Sequence, residues 1–192
     1  MAISLSKGGN INLSKDAPGL KKALAGLGWD ARATDGAPFD LDASAFMCGA
    51  DGKVSQDERF VFYGNLTSPD GSIAHQGDER TGDTEGDDEV IAVNLEAIPA
   101  DVEKVAIVVT IHEAEARNQN FGQVQNAFIR LVDFDTQAEV ARYDLSEDAS
   151  TNRAIIFGEF YRHNGDWKFR AVGQGFDTGL AGMLTHFGLQ AA

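Results

Sequence analysis

An all-β sandwich carrying a few short helices, one of them C-terminal, is the fold class this sequence predicts, and three observations predict it. Short apolar runs, alternating or β-branched, recur with turn residues roughly every ten positions. Lys104 to His112 (Lys-Val-Ala-Ile-Val-Val-Thr-Ile-His) is nearly all apolar and β-branched, the pattern of a central strand covered on both faces. Asn164-Gly165, between Ala154 to His163 and Asp166 to Gly175, is the strongest hairpin signal, because both central positions of a type I′ turn favour positive φ. At 192 residues the chain can bury a substantial core, and a single domain spanning 1–192 is expected.

Taken in order, Ser4-Leu-Ser-Lys7 and Asn12-Leu-Ser-Lys15 echo one another across Gly8-Gly9-Asn10. With Ile3, Leu5, Ile11 and Leu13 alternating, they predict a hairpin with a glycine turn. Residues 16 to 22, with Pro18 and Gly19, form a connection; Ala23 to Ala31 is a glycine-interrupted strand ending in Trp29-Asp30, followed by a loop through Asp35-Gly36. In Phe39 to Met47, Leu41, Ala43, Ala45 and Met47 alternate with Asp40, Asp42, Ser44 and Phe46, a strand signature. Period two sets Asp40 and Asp42 on one face, where like charges are unfavourable without a partner.

Arg59 to Tyr63 is a short strand, and Asn65 to Ser72 is rich in turn residues. Val90 to Leu95 is a strand entered directly from an acidic loop, and Lys104 to His112 should be the best protected. Residues 113 to 126 are polar and predict a loop with one helical turn. Ala127 to Phe134 and Glu139 to Leu145 are strands around Asp135-Thr-Gln. Thr178 to Phe187 places Leu180, Met183, Leu184 and Phe187 on one helical face, closed by Gly188.

The net charge of −14 and pI near 4.5 exclude a nucleic-acid or anionic-lipid surface, since no basic stripe offsets the repulsion. Cations or a basic partner are the natural ligands. Cys48 is the sole cysteine, so an intramolecular disulfide and a thiolate zinc site are ruled out, which suits a reducing compartment. The N-terminus lacks the apolar core of a signal peptide, and no run approaches the roughly 18 apolar residues of a membrane span. A cytoplasmic location without membrane insertion is expected, with membrane contact only through a partner.

Gly77 to Glu89 is the most informative stretch. Between Asp78 and Glu89 stand seven acids (Asp78, Glu79, Asp83, Glu85, Asp87, Asp88, Glu89) against Arg80 alone, a net of minus six. Two like charges 4 Å apart repel by roughly 4 kcal/mol at an effective dielectric of about 20, so a folded loop of this composition needs a counter-charge. Gly77, Gly82 and Gly86 let the chain turn carboxylates and carbonyls toward one centre. That suits calcium, which accepts six to eight oxygens in a flexible shell, better than magnesium with its strict octahedron. Asp78 and Glu89 match the ends of a twelve-residue EF-hand loop, but Arg80, Gly82 and Asp83 break its pattern. A solvated acidic loop that binds nothing specific is the bland alternative. Asp40 and Asp42 add a second carboxylate pair and favour the ion.

Other chemistry is sparse. His75, His112, His163 and His186 have no metal-ligand spacing, His112-Glu113 lacks the second histidine of a zinc-protease helix, and Gly173-Gln-Gly175 follows a hairpin where a dinucleotide fingerprint would open a helix. Cys48 continues a strand and suits a small core residue better than a nucleophile. No nucleophile motif is present.

Gly28-Trp-Asp30, Phe39-Asp-Leu-Asp-Ala-Ser44, Asp70-Gly-Ser72, His75-Gln-Gly-Asp78, Gly86-Asp-Asp-Glu89, Arg142-Tyr-Asp-Leu145 and Tyr161-Arg through Trp167-Lys-Phe-Arg-Ala-Val-Gly-Gln-Gly175 follow in order. Together they resemble the TerD family of tellurite-resistance and stress proteins over essentially the whole chain. The resemblance implies a single β-sandwich that binds calcium through acidic loops, and assemblies with sibling Ter proteins at the inner membrane. It implies ligands at Asp30, Asp40, Asp42, Asp78, Asp87, Asp88 and Glu89, with Asp83 and Glu85 in a second rank. The chain departs from the common pattern at Glu79, Thr84 and Gly64, with the acid count intact. The expectation is a non-enzymatic, calcium-ordered scaffold. The alternative is an enzyme acting on an oxyanion such as tellurite through Cys48 or a bound metal, which Cys48→Ser would separate from the scaffold.

Overall fold

Two six-stranded sheets face each other in the computed structural model, which describes residues 1–31, 36–77, 86–145 and 151–191. Asp35 and the stretch Asp78 to Glu85, with Asp78 and Asp83, lie outside the described residues. The first sheet runs in the order β1 (Ile3–Leu5), β10 (Glu139–Asp144), β9 (Val124–Asp133), β3 (Lys22–Ala31), β7 (Glu89–Asn94), β6 (Ile73–His75). The second runs β2 (Asn10–Asn12), β12 (Asp166–Phe176), β11 (Ala154–His163), β8 (Lys104–Ile111), β4 (Leu41–Cys48), β5 (Phe60–Val61). All pairings are antiparallel except β1 with β10.

Alternation built the core as expected. Ala23, Ala25 and Leu27 of β3, Ile91 and Val93 of β7, and Leu41, Ala43, Ala45 and Met47 of β4 meet between the sheets, all buried. β8 lies between β11 and β4 and is buried from Val105 to Ile111, the two-faced burial its composition calls for. Asn164 and Gly165 join β11 to β12 with φ of 51° and 80°. The helical turn predicted within 113 to 126 is a single 3-10 turn, Phe121–Gln123, capped by the Asn120 side chain. β9 begins at Val124, earlier than the polar sequence suggests, because Gln125 and Val124 pair with Asp30 and Ala31.

One expectation is overturned. Ile3 to Leu5 and Ile11 to Leu13 do not form a hairpin: β1 pairs with β10 in the first sheet and β2 with β12 in the second. The Gly8-Gly9 stretch instead carries the chain from one sheet to the other, with Gly8 at φ 81° and Gly9 donating to the Ser6 carbonyl. Leu13 opens a one-turn helix, α1 (Leu13–Asp16), capped by Asn12.

The C-terminal helix, α2 (Leu180–His186), gives the second sheet a small core of its own on the outside. Met183 and Phe187 bury against Phe46, Cys48, Phe60, Ala106 and Val108, with Leu180 and Leu184 alongside. Phe46 stacks between Phe187 and Phe60, with ring centres 4.2 and 4.5 Å away. So the alternate face of β4 turns from polar at Asp42 to fully buried at Phe46. Cys48 ends that strand within this core.

Candidate functional site

Antiparallel order brings the end of β3, the start of β4, the start of β7 and the end of β8 to one end of the sandwich. β3, β4 and β7 carry or adjoin the predicted acids. Asp42 pairs in register with Thr110, and the Asp40 carbonyl accepts from the His112 amide 2.7 Å away.

The three consecutive acids Asp87, Asp88 and Glu89 leave the loop in three directions. Glu89 opens β7 opposite Leu27 and turns inward, where it is 1% exposed. There it accepts the amide proton of Ala43 on β4, and His75 Nε2 lies 3.5 Å from the same oxygen. Its carboxyl is raised to about 7, chiefly by burial and in small part by Asp42, against the lowering by His75 and the Ala43 N–H. Asp88 takes the Trp29 amide at 2.8 Å and donates its own amide to the Leu27 carbonyl at 2.7 Å, fastening the loop to the end of β3. Asp87 turns to the outer face of the first sheet, where Arg130 grips both its oxygens at 2.8 and 3.1 Å.

Of the remaining acids, Asp42 Oδ2 stands 3.7 Å from His112 Nδ1, and Asp30 accepts from Asn126 Nδ2 at 2.6 Å. Asp40 Oδ1 is buried and has no hydrogen-bond donor among the described residues. A buried carboxylate oxygen without a partner is costly and is ordinarily satisfied by a proton, a water or a cation.

The structure therefore brings Asp42 within electrostatic reach of Glu89 and sets Asp88 against the strand that carries Asp30. It draws Asp87 away, onto Arg130. Asp78 and Asp83 lie outside the described residues. Among the described residues, no three His, Cys, Asp or Glu side chains stand close enough to hold an ion between them. The donor chemistry nevertheless fits a hard cation: carboxylate oxygens, one of them buried and unsatisfied, supply what calcium prefers.

Several partners at this end were not legible in sequence. His75, the Ala43 amide and Arg130 lie 14, 46 and 43 residues from the acids they meet, and no local spacing links them. Beside Asp42 a cleft of about 890 Å³ opens between the end of β8 and the start of α2, lined by Thr110, His112, Arg153 and Leu180.

The TerD domain model matches residues 1–187 of the chain. The chain is 62% identical over 192 residues, all of both chains, to the tellurium resistance protein TerD of Serratia marcescens. It is 53% identical over 191 residues, 99% of each chain, to general stress protein 16U of Bacillus subtilis (strain 168). A crystal structure of a homologue of telluride resistance protein (TerD) from Streptomyces coelicolor A3(2) superposes with a TM-score of 0.72 at 26% identity. That match covers 90% of this chain and 100% of the other.

Proposed function

This chain belongs to the TerD-domain family of tellurium-resistance and stress proteins, and from that premise we propose that it is a non-enzymatic, calcium-binding module of that response. Asp40, Asp42, Asp88 and Glu89 would hold the ion from the described residues, joined by Asp78 and Asp83 of the loop. Calcium would supply the positive charge that lets these carboxylates crowd at one end of the sandwich. The observation that carries the reading is Asp40 Oδ1, buried without a donor among the described residues, two residues before a carboxylate whose charge already reaches Glu89.

The protein's own part is to place donors. Glu89 ties β7 to β4 through the Ala43 amide, and Asp88 ties the loop to Trp29, so the two sheets and the loop meet at a fixed spacing. Ordered in this way, the acidic end forms a surface for partner proteins, for which sibling Ter proteins, assembled at a membrane, are the candidates. Among the described residues no helix is long and apolar enough to cross a membrane. Action in the cytoplasm is part of the proposal.

The alternative, an oxyanion-handling enzyme built on the thiol, finds little support at Cys48. That side chain is wholly buried, and burial pushes its thiol up to about 12, far from a thiolate at neutral pH. Calorimetric titration with calcium, with magnesium as competitor, tests the proposal. Heats that vanish at matched ionic strength, or equal affinity for both ions, would reduce this end to a screened acidic surface.

A further inference from the structure

Asp87 sits in a seat assembled from three strands. Arg130 of β9 grips it through Nε and Nη2, at 2.8 and 3.1 Å, while Nη1 of the same guanidinium reaches Glu139 of β10 at 3.3 Å. Below the carboxylate lies Gly26 of β3, in register with Arg130. A Cβ on Gly26 would meet Asp87 Oδ2 at 2.2 Å, Cγ at 2.4 Å and Oδ1 at 2.7 Å, so the carboxylate lies flat on bare backbone. Two positions along β3, a Cβ on Gly28 would meet the Phe128 ring at 2.4 Å and the Gly86 carbonyl at 3.1 Å, and Gly86 itself has φ 123°. The end of the loop thus lies against the outer face, where the bare backbone of Gly26 receives the Asp87 carboxylate and Gly28 makes room chiefly for Phe128.

We infer that Asp87 is the partner of Arg130 and not a ligand of the ion, and that Arg130 acts as an internal cation that sets how tightly the acidic loop takes up calcium. The charge argument is direct. A bidentate guanidinium neutralises one carboxylate and fixes its plane. It also repels a second cation at the same oxygens. Glu139 holds the remaining guanidinium nitrogen of Arg130 at 3.3 Å. The pair is about one-third exposed at Arg130 and 14% at Asp87, sheltered enough for its geometry to persist. Asp87 then anchors the loop, while Asp88 and Glu89 are sent toward Trp29 and the sheet interior. The affinity half of this inference rests on the calcium reading; the clamp half does not.

The test uses the full chain as Arg130→Gln, Asp87→Asn and the double variant, titrated with calcium chloride by calorimetry and melted in chelator. The double variant should bind calcium with the wild-type affinity and stoichiometry. Arg130→Gln alone, which frees a carboxylate, should bind several-fold tighter, and Asp87→Asn alone, which leaves Arg130 uncompensated, should bind more weakly. Loss of binding by about tenfold or more in the double variant, with Arg130→Gln unchanged, would make Asp87 a ligand and overturn the inference. If none of the four proteins takes up calcium, the calcium reading falls with the affinity half. The chelator melts then judge the clamp: Tm losses that do not add between the single and double variants support it, and strictly additive losses overturn it.

Discussion

The Glu89 carboxylate, on β7 of the first sheet, accepts the amide proton of Ala43, on β4 of the second. β4 has β8 along one side and β5 along the other, but β5 pairs only with Ala45 and Phe46. The Ala43 N–H would otherwise be an unpaired donor in the core, and an acid from the opposite sheet satisfies it.

That position makes Glu89 a pH-dependent link. Its carboxyl is raised from 4.5 to about 7, chiefly by burial, so between those values the folded protein holds a proton that the unfolded chain has released. The contribution of this group to stability therefore rises as pH falls from about 7 toward 4.5 and is at its lowest above 7. In chelator, the wild type should gain Tm relative to Glu89→Gln over that interval, as read by thermal melts in a pH series. Calcium affinity should fall over the same interval, because the proton competes for the carboxylate.

Calcium should raise the melting temperature, since an ion held only by the folded state contributes about 2.7 kcal/mol at a hundredfold excess over its dissociation constant. Magnesium should do less, because these donors do not impose an octahedron. Asp40→Asn with Asp42→Asn should remove most of the calcium increment while leaving the chelator melt unchanged or improved, as like charges are relieved. Differential scanning fluorimetry at constant ionic strength reads both effects.

Gly26→Ala should destabilise the fold by about 1–3 kcal/mol, the usual cost of a methyl forced into filled space, because its Cβ collides with the Asp87 carboxylate. Urea melts of this variant and of Gly19→Ala, where φ is 91° but an added Cβ meets nothing within 4 Å, separate crowding from backbone strain.

Cys48 should be inert to thiol reagents in the folded protein and react fully in denaturant, since it is buried under α2 beside Phe46. A colorimetric thiol assay checks this. Rapid native labelling would reopen the thiol-enzyme alternative.

Elements that carry their own local signal were the legible ones. β11 and β12 were readable because Asn164-Gly165 fixes their register, and β8 because a strand buried on both faces needs an unbroken apolar run. The N-terminal echo misled because two short amphipathic segments around glycines fit a hairpin and a crossover between sheets equally well. β6 went unseen, as Ile73–His75 is too short to show a period and follows a turn at Pro69-Asp70-Gly71. The loop's acids were visible, but their fates were not. The partner of Asp87 sits 43 residues away on a strand that looks self-sufficient, and the partner of Glu89 is a backbone amide without any side-chain signature.

The split of the first twelve residues between two sheets bears on how the protein is made. β1 lies beside residues 141–143 and β2 beside residues 168–170, so each strand is synthesised well over a hundred residues ahead of its neighbour. At elongation speeds of about 5–20 residues per second, those edges stay bare for roughly seven to thirty seconds on every nascent chain. Ile3 and Ile11 are then unpaired apolar strand edges, open to passing chaperones or to a neighbouring chain on the same message.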